Sequence, residues 1–568
     1  MKKFLALLLA LITVFSVTAC STEDYSDTTK LEVIAFDAGV GINWLNKAID
    51  RFEEKQKNVS YAEGKTGVVV KVTPSSTNTT SSMSTDGYHV YIYEGVRNIV
   101  QLAAVGATYN VVDWITEDSD IRDSKPISII EKIDDAVLES MKGLDGGYYA
   151  LPSVNFLYGL SYNQELFDNY ALYFAAPEET NVVNYTSGNG FGSAKFIQTG
   201  AKKSCGPDGE YKTVDDGLPS SLHEFILLCD YAKETYSVSP MGLSGRYLNY
   251  INYFIAALWQ SLAGDAYQAQ FNFSGEIEVV TGLSEENLFP GIDYIKKPIT
   301  ETVMLTEETG YLARDQVERY YALAMVEILE HEDWFGRNTD IGTNTHVNAQ
   351  NDFIMGGVNG SPEIAMFCDG NYWWNESARE GTFDKYTAMT KKDEPQISWM
   401  PLPTQIDGQV QEGEGHAFRG KDLPAGYILV NNRISENAEI EEACKDFVQF
   451  IYTDEELAYF TAETGLTKAL NYDLPEGMLD SLTTLAKSCW LLTESSTMPI
   501  YNFNDIYKNH IADFSYGLND PTVKVTTERG NYNSFLDALR SADGSDTWSA
   551  FQCIRLTKEV WDSRYLNN

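Results

Sequence analysis

The sequence predicts an α/β fold in which a mostly parallel sheet is flanked by helices. An apolar run at residues 30–36 predicts a strand, residues 42–56 have helical periodicity, and residues 67–74 and 88–95 predict two further strands. A strand, a helix and a strand in succession favour parallel pairing, because the helix carries the chain back to the starting edge of the sheet. Longer helical stretches follow at residues 221–236, 247–263, 315–331 and 437–463.

The first twenty residues have the pattern of a secretory signal. A basic start precedes an apolar run at residues 4–17, which is too short to span a bilayer. The closing "VTAC" resembles the bacterial lipobox, in which the cysteine, here Cys20, receives the lipid; an ordinary signal peptide with an incidental cysteine is the alternative. Residues 21–30 are polar and predict a tether. We therefore expect a lipid-anchored protein on the outer face of the bacterial cytoplasmic membrane.

Acidic residues dominate the charge balance of the chain. The 42 basic and 82 acidic residues give a net charge of −40 at pH 7. Such a field repels phosphate backbones and anionic lipid headgroups, so it excludes nucleic-acid binding and disfavours a strongly anionic ligand. The 35 tyrosines and 10 tryptophans can supply a large core, and the length suits two large lobes.

The cysteines after the signal predict no metal or redox motif. Their spacing matches no zinc or redox motif and they are sparse for so long a chain, so buried free thiols are expected, with a bridge between Cys205 and Cys229 as the alternative. The six are Cys205, Cys229, Cys368, Cys444, Cys489 and Cys553.

The segment "FDAGVGINW", residues 36–44, begins like a dinucleotide-binding loop. Two glycines one residue apart lie between a predicted strand and a predicted helix, but Trp44 occupies the position of the third glycine. The second strand also ends without the acid that holds a ribose. The sequence therefore argues against a nucleotide. The glycines are expected instead to let a ligand approach the backbone.

Further segments occur in a characteristic order. They are "ALPSVNFLYGLSYNQELFD" (150–168), "CGPDGEYKTVDDGLPSSLHEFILLCD" (205–230), "EIAMFCDGNYWWNES" (363–377), "ISWMPLP" (397–403) and the strand and helix pair of 426–466. Together with the opening strand, glycines and helix, they resemble the extracellular solute-binding proteins of family 1, the sugar-binding lipoproteins of ABC importers. The resemblance spans most of residues 30–470 and weakens after about residue 475.

This resemblance implies a two-lobed clamshell of the type II periplasmic-binding-protein kind, with a mostly parallel sheet and flanking helices in each lobe. The implied first lobe comprises residues 30–154 and 424–470, and the second comprises 155–423 and 471–568. A ligand that touches both lobes favours the closed form, which a membrane permease then accepts. The implied function is capture of a carbohydrate, above all an oligosaccharide, for an ABC transporter, without catalysis and without a cofactor.

The expected ligand contacts are aromatic rings for the apolar faces of a sugar, with carboxylates, amides and arginine for its hydroxyls. Trp373 and Trp374 lie in a stretch predicted to be extended, so one of the two indoles should face the ligand. For each candidate the alternative is a core, capping or solvated surface residue, and Trp44 is expected in the core. The candidates are Asp37, Tyr93, Glu94, Arg97, Asn155, Tyr158, Trp259, Asp369, Asn371, Trp373, Trp374 and Tyr427.

Three other functions fit the sequence less well. The acidic loop at residues 208–216 suggests calcium, but Lys212 stands where an oxygen ligand is needed and no glutamate closes the loop, so no metal site is expected. A peptide-binding receptor of an ABC importer suits the length, although its extra domain would interpose more strands early in the chain. A secreted glycoside hydrolase needs a pair of carboxylates, which the sequence does not single out.

Overall fold

The computed structural model describes residues 26–96, 98–117, 128–420, 424–496, 503–510, 525–527, 530–532, 535–540 and 556–566. Cys20, Arg97 and Cys553 lie outside these residues, so the predictions made for them stay predictions. Among the helices of the described residues, none combines the length and the apolar character that crossing a membrane requires.

The strands and helices alternate along much of the chain. The strands are β1 (Thr29–Phe36), β2 (Val68–Ser75), β3 (Val90–Glu94), β4 (Leu151–Val154), β5 (Tyr158–Asn163), β6 (Val182–Thr186), β7 (Ser193–Ile197), β8 (Ser239–Gly242), β9 (Gly275–Asn287), β10 (Lys296–Leu305), β11 (Ile364–Gly370), β12 (Ile397–Met400), β13 (Gly426–Val430), β14 (Val525–Thr527) and β15 (Gly530–Tyr532).

The helices follow in the same chain order. They are α1 (Asn43–Gln56), α2 (Ile99–Ala104), α3 (Val112–Thr116), α4 (Asp135–Ser140), α5 (Gln164–Tyr170), α6 (Leu222–Tyr236), α7 (Ile251–Ala263), α8 (Ala269–Asn272), α9 (Val317–His331), α10 (His346–Ile354), α11 (Trp373–Arg379), α12 (Thr382–Thr390), α13 (Ala438–Phe450), α14 (Asp454–Thr464), α15 (Met478–Ser481), α16 (Thr484–Ser495), α17 (Asp505–Asn509), α18 (Phe535–Leu539) and α19 (Lys558–Trp561). The predicted helical stretch over 437–463 contains the helix pair that the resemblance implies, α13 and α14, and the second begins where the Thr453 side chain accepts a hydrogen bond from the Glu456 N–H.

The first sheet has the strand order β2-β1-β3-β13-β4. β1 pairs in parallel with β2 and β3, as the strand–helix–strand pattern predicts. Alternate residues of β1 are buried, and α1 covers the sheet with the apolar face that its periodicity predicts. Trp44 belongs to that face and meets the ring of Phe460 edge-on at 4.9 Å, so its expected place in the core is confirmed.

The second sheet has the strand order β12-β5-β11-β8. β5 runs antiparallel to both β11 and β12, and in the first sheet β13 runs antiparallel to both β3 and β4. The sheets are therefore mixed rather than mostly parallel. The reason is that β5 and β13 are the strands on which the chain enters a sheet from the other one, without the crossover helix that parallel pairing requires.

The chain changes sheets within short segments. β4 of the first sheet ends at Val154, and β5 of the second begins at Tyr158. The return occurs between β12 and β13, and a bridge from Asn155 to Thr467 ties the first crossing to the segment after α14. We call the first sheet with its packed helices the first lobe and the second sheet with its helices the second lobe. Part of residues 471–568 lies outside the described residues, and for that part the assignment to the second lobe stays a prediction.

The described cysteines are buried and unbridged. Cys205, Cys229, Cys368, Cys444 and Cys489 are free thiols, and this confirms the expectation for these five. Cys205 and Cys229 do not form the bridge that was the alternative.

Candidate ligand-binding site

The two glycines of the opening segment make room for side chains from both lobes. Gly39 and Gly41 adopt φ values of +49° and +75°, which glycine tolerates best. A Cβ atom on Gly39 would lie 2.9 Å from an oxygen of Glu94, and one on Gly41 would lie 2.5 Å from Nη1 of Arg379. Glu94 ends β3 in the first lobe, whereas Arg379 ends α11 in the second. The loop after β1 therefore lies where the lobes meet.

Glu94 is the acidic group on the first-lobe side of this junction. Oε1 of its carboxyl accepts a long hydrogen bond of 3.4 Å from the backbone N–H of Val40. Burial raises the pKa of Glu94 to about 8; the nearby charge of Glu376 adds to the rise, and Arg379 opposes it. Near neutral pH the carboxyl is therefore largely protonated, and it can donate a hydrogen bond as well as accept one.

On the second-lobe side, an amide joins two carboxyl groups. Nε2 of Gln350 donates to Glu376 at 2.8 Å and to Asp369 at 3.3 Å, while its oxygen accepts from the Ser377 hydroxyl at 3.1 Å. Asp369 is the penultimate residue of β11 and is fully buried, and this burial raises its pKa well above the usual range. Nε2 of His346 lies 4.0 Å from Glu376. The fixed amide orients Glu376 beside the junction.

An aromatic cluster lies between the lobes. Tyr158 stacks on Tyr253 with ring centroids 4.7 Å apart, and the hydroxyl of Tyr253 lies 3.1 Å from that of Tyr372. Tyr250 extends the cluster on one side, where its ring centroid lies 5.2 Å from that of Tyr253. Phe156 extends it on the other side, 4.7 Å from the ring of Tyr372. The members come from the first crossing, the start of α7 and the end of β11: Phe156, Tyr158, Tyr247, Tyr250, Tyr253 and Tyr372.

This cluster combines flat apolar faces with hydroxyl groups. Burial raises the pKa of Tyr250, Tyr253 and Tyr372 above the usual value, so their phenols stay neutral and act as donors and acceptors. Rings that also carry hydrogen-bonding groups, beside carboxyl and amide side chains, are the lining expected of a site for an uncharged, hydroxyl-bearing ligand.

Some of the residues predicted from the sequence meet at this junction. Glu94, Tyr158 and Asp369 lie there, and Asp37 is exposed at the start of the glycine loop. Asn371 instead ties the crossing together, because its side-chain oxygen accepts from the Leu157 N–H at 3.1 Å. Asn155 is buried at the crossing, and its side-chain oxygen makes no hydrogen bond to the described residues.

Four other predicted residues are buried in the cores of the lobes. Tyr93 is buried in the first lobe, and the hydroxyl of Tyr427 lies 2.8 Å from that of Ser140. In the second lobe, Nε1 of Trp259 donates to the side chain of Gln316 at 2.8 Å. The fourth is Trp373 at the start of α11. These side chains belong to the hydrophobic cores rather than to the junction, because their rings complete the apolar layers on the sheets.

The pair of tryptophans is helical rather than extended. Trp373 begins α11, is fully buried and donates from Nε1 to the hydroxyl of Ser161 at 3.0 Å. Trp374 is half-buried and stacks on Phe383 at 4.2 Å. Neighbouring residues of a helix do not point to opposite faces as those of a strand do, so the strand alternation that was expected to turn one indole toward a ligand is absent here.

Sequence reasoning missed Gln350, Glu376, Arg379 and most of the aromatic cluster. The segment "YLNYINY" carried a usable signal, since Tyr247, Tyr250 and Tyr253 recur every three residues and therefore share one helical face. Tyr372 lies between two predicted residues, directly after Asn371 and directly before Trp373.

The acidic loop at residues 208–216 is held by its own hydrogen bonds. The Asp208 N–H donates to Asp215 at 3.0 Å, and the Thr213 hydroxyl donates to the other oxygen of Asp215 at 2.6 Å. Burial and the neighbouring Asp208 raise the pKa of Asp215 to about 7. Within the described residues, no group of three or more His, Cys, Asp or Glu side chains is arranged to hold a metal ion.

Comparison with known proteins establishes the fold. No model of a known protein family matches this chain, and neither does any curated protein sequence. Solved structures match over nearly its whole length. They include a chitin oligosaccharide binding protein (TM-score 0.53, 14% identity, 95% of this chain and 100% of that one) and a cyclic α-maltosyl-1,6-maltose binding protein from Arthrobacter globiformis (0.53, 12%, 95% and 100%).

A third similar structure is the GacH receptor of Streptomyces glaucescens GLA.O, solved unliganded and with acarbose (TM-score 0.50, 12% identity, 95% of this chain and 99% of that one). At such low identities the likeness concerns the fold alone. It confirms the predicted fold class, a two-lobed α/β architecture of the periplasmic-binding-protein kind with helices flanking a sheet in each lobe.

Proposed function

We propose that this protein is the substrate-binding component of an ABC importer, a member of solute-binding protein family 1 that captures an oligosaccharide between its lobes. In this proposal, lipid on Cys20 holds it at the outer face of the bacterial cytoplasmic membrane, and a permease accepts the loaded form. The signal pattern at residues 1–20 and the ordered resemblance of residues 30–470 support it, as does the fold shared with binding proteins whose names specify oligosaccharide ligands.

The observation that carries the proposal is the aromatic cluster at the junction of the lobes. Tyr250 of the cluster lies near Glu376 of the second lobe, and Glu376 in turn lies near Glu94 of the first lobe, so a ligand placed there would contact both lobes at once. A ligand stabilises the closed form only through such differential contacts. Micromolar affinity requires about −8 kcal/mol. A few stacked rings and several hydrogen bonds at about 1 kcal/mol each supply that much.

A thermal-shift screen tests the ligand class. Neutral oligosaccharides of several linkages and lengths are compared with short peptides, using the chain without its first twenty residues. A specific ligand at a hundred times its Kd stabilises the protein by about 2.7 kcal/mol, which raises the melting temperature measurably. We expect an oligosaccharide to produce the shift. A shift with peptides alone would identify a peptide receptor, and chromatography showing cleaved saccharide would identify a glycoside hydrolase.

Replacing Tyr250 by alanine is expected to weaken oligosaccharide binding about tenfold or more, because a stacked ring with its hydroxyl contributes at least about 1.4 kcal/mol. Calorimetric titration with the oligosaccharide found in the screen measures the loss. Tyr170→Ala is the matched control, since Tyr170 stacks on Tyr236 at 4.6 Å and bonds Glu363, before the opposite end of β11. Equal losses in both variants would place the ligand elsewhere.

A further inference from the structure

A short helix near the end of the chain is anchored in the second lobe. The ring of Tyr507, in α17, is buried against Phe503 at 4.9 Å and Phe271 at 5.4 Å. The backbone N–H of Asn504 donates to the carbonyl of Phe271 at 3.1 Å, and the Asn504 side chain caps α17 by accepting from the Ile506 N–H at 2.7 Å. Residues 503–508, which we call the C-terminal strap, are thus fixed to the second-lobe core.

The same strap is bonded to the first lobe. Nζ of Lys508 lies 2.5 Å from Oε1 of Glu139 in α4, and Nε2 of Gln101 in α2 donates to the Lys508 carbonyl at 3.4 Å. The second oxygen of Glu139 pairs with Lys142 at 2.7 Å. Hydrogen bonds from these two ammonium groups lower the pKa of Glu139, although partial burial opposes them, so its charge persists at neutral pH.

The ion pair between Lys508 and Glu139 joins the two lobes to each other, unlike the hydrogen bonds and ion pairs within a single lobe. Lys508 and Glu139 belong to different lobes, so their ion pair can exist only while the lobes are close. Their side chains are 24% and 25% exposed, which leaves the pair less screened than a fully exposed one. At the junction itself, Nδ2 of Asn375 in α11 also donates across the lobes, to the Thr464 carbonyl at 2.9 Å.

We propose that the C-terminal strap is a latch that favours the closed arrangement of the lobes, and that the ion pair between Lys508 and Glu139 sets its strength. This inference rests on the closure included in the proposed function but not on the identity of the ligand. Breaking a pair of this exposure changes the ratio of closed to open molecules by about fivefold, the equivalent of about 1 kcal/mol.

Small-angle X-ray scattering of the ligand-free protein tests the latch. The chain without its first twenty residues is measured as wild type, Glu139→Gln and Lys508→Gln, at low salt and in 0.5 M sodium chloride, with circular dichroism to verify folding. Both variants should scatter as a mixture with a larger open fraction. Salt should increase the open fraction of the wild type, because it screens the ion pair between Lys508 and Glu139. It should have little further effect on the two variants, which already lack that pair.

Glu439→Gln is the matched control. Glu439 pairs with Lys65 at 2.6 Å within the first lobe, so its loss removes a similar ion pair without touching the junction of the lobes. It should scatter like the wild type. Identical scattering of the wild type and both strap variants would overturn the proposal, as would equal opening in the Glu439 variant. Because no ligand is added, this outcome is independent of whether the protein binds oligosaccharides.

Where an oligosaccharide ligand is found, its kinetics give a second measure. The strap variants should release it about fivefold faster with little change in association rate, because the latch acts after the lobes have met. Unchanged release from both variants would contradict the latch even if binding itself is established.

Discussion

Replacing Lys468 by methionine is expected to raise the free energy of unfolding at pH 7 by about 2–4 kcal/mol. The Lys468 side chain is 1% exposed, and its amine makes no hydrogen bond to any described residue. Three rings surround it, with Nζ 4.6 Å from the centroid of Trp44, 4.8 Å from Phe460 and 5.1 Å from Tyr452. Methionine fills a similar volume without burying an amine.

The pH dependence of this effect has a definite sign. Burial lowers the pKa of Lys468 to about 7, although the charge of Glu456 opposes the decrease. In the unfolded chain the amine titrates near 10.4. Between these values the unfolded state binds more protons, so this lysine makes the wild type more stable as the pH rises from about 7 to about 10.4. Below about pH 7 both states are protonated and the penalty is constant.

Urea unfolding at pH 6, 8 and 10 measures the difference. The advantage of Lys468→Met should be largest at pH 6 and should shrink toward pH 10, where the wild-type lysine is neutral in the folded state. Lys57→Met is the control, because Lys57 is exposed and pairs only at the surface. A variant no more stable than the wild type at pH 6, or an advantage that does not change with pH, would contradict an unpaired buried amine.

Parts of the candidate site follow from strand order alone. Glu94 was predicted because it ends a strand, and ligands of open α/β sheets bind at the carboxyl ends of strands, whereas Asp369 was predicted as a polar neighbour of the tryptophan pair. That rule needs only the positions of the strands, which the alternation and length of the apolar runs indicate. It places Glu94 beside the glycine loop, as the structure shows, without any knowledge of the partner lobe.

The sequence does not predict the site residues whose contacts depend on how the two lobes pack together. Arg379 reaches Gly41 only because α11 packs against the glycine loop of the other lobe. No local sequence pattern predicts this contact between the lobes. The mixed strand directions were missed for a related reason. Local propensity predicts that a strand exists, but its direction depends on the sheet from which the chain arrives.

The tryptophan pair shows how a local pattern can mislead. The apolar run of β11 ends at Gly370, and Asn371 and Tyr372 turn the chain into α11. From sequence, the two indoles looked like a continuation of the strand. The polar residues Asn375, Glu376 and Ser377 that follow are compatible with a helix, but α11 has only 7 residues, too few for its periodicity to be distinguished from that of a strand.

Trp373→Ala is accordingly expected to lower the free energy of unfolding by about 3–5 kcal/mol, whereas Trp374→Ala should cost markedly less. The Trp373 ring is fully buried edge-on against Phe353 and Phe367, at 5.9 and 5.8 Å, and its truncation leaves a cavity and an unpaired Ser161 hydroxyl. Trp374 is only half-buried, so solvent and its neighbour Phe383 can fill part of the space. Urea unfolding of the two single variants measures both losses.

This difference also decides what a loss of binding would mean. Because Trp373 lies in the core, Trp373→Phe should keep more of the stability than Trp373→Ala and bind an oligosaccharide like the wild type, since a buried aromatic ring remains at this position. The double variant Trp373→Ala plus Trp374→Ala would then lose binding through unfolding, which circular dichroism detects. A folded Trp373→Ala protein of wild-type stability that no longer binds would instead place this indole against the ligand, because only a side chain outside the core can be removed without a cavity.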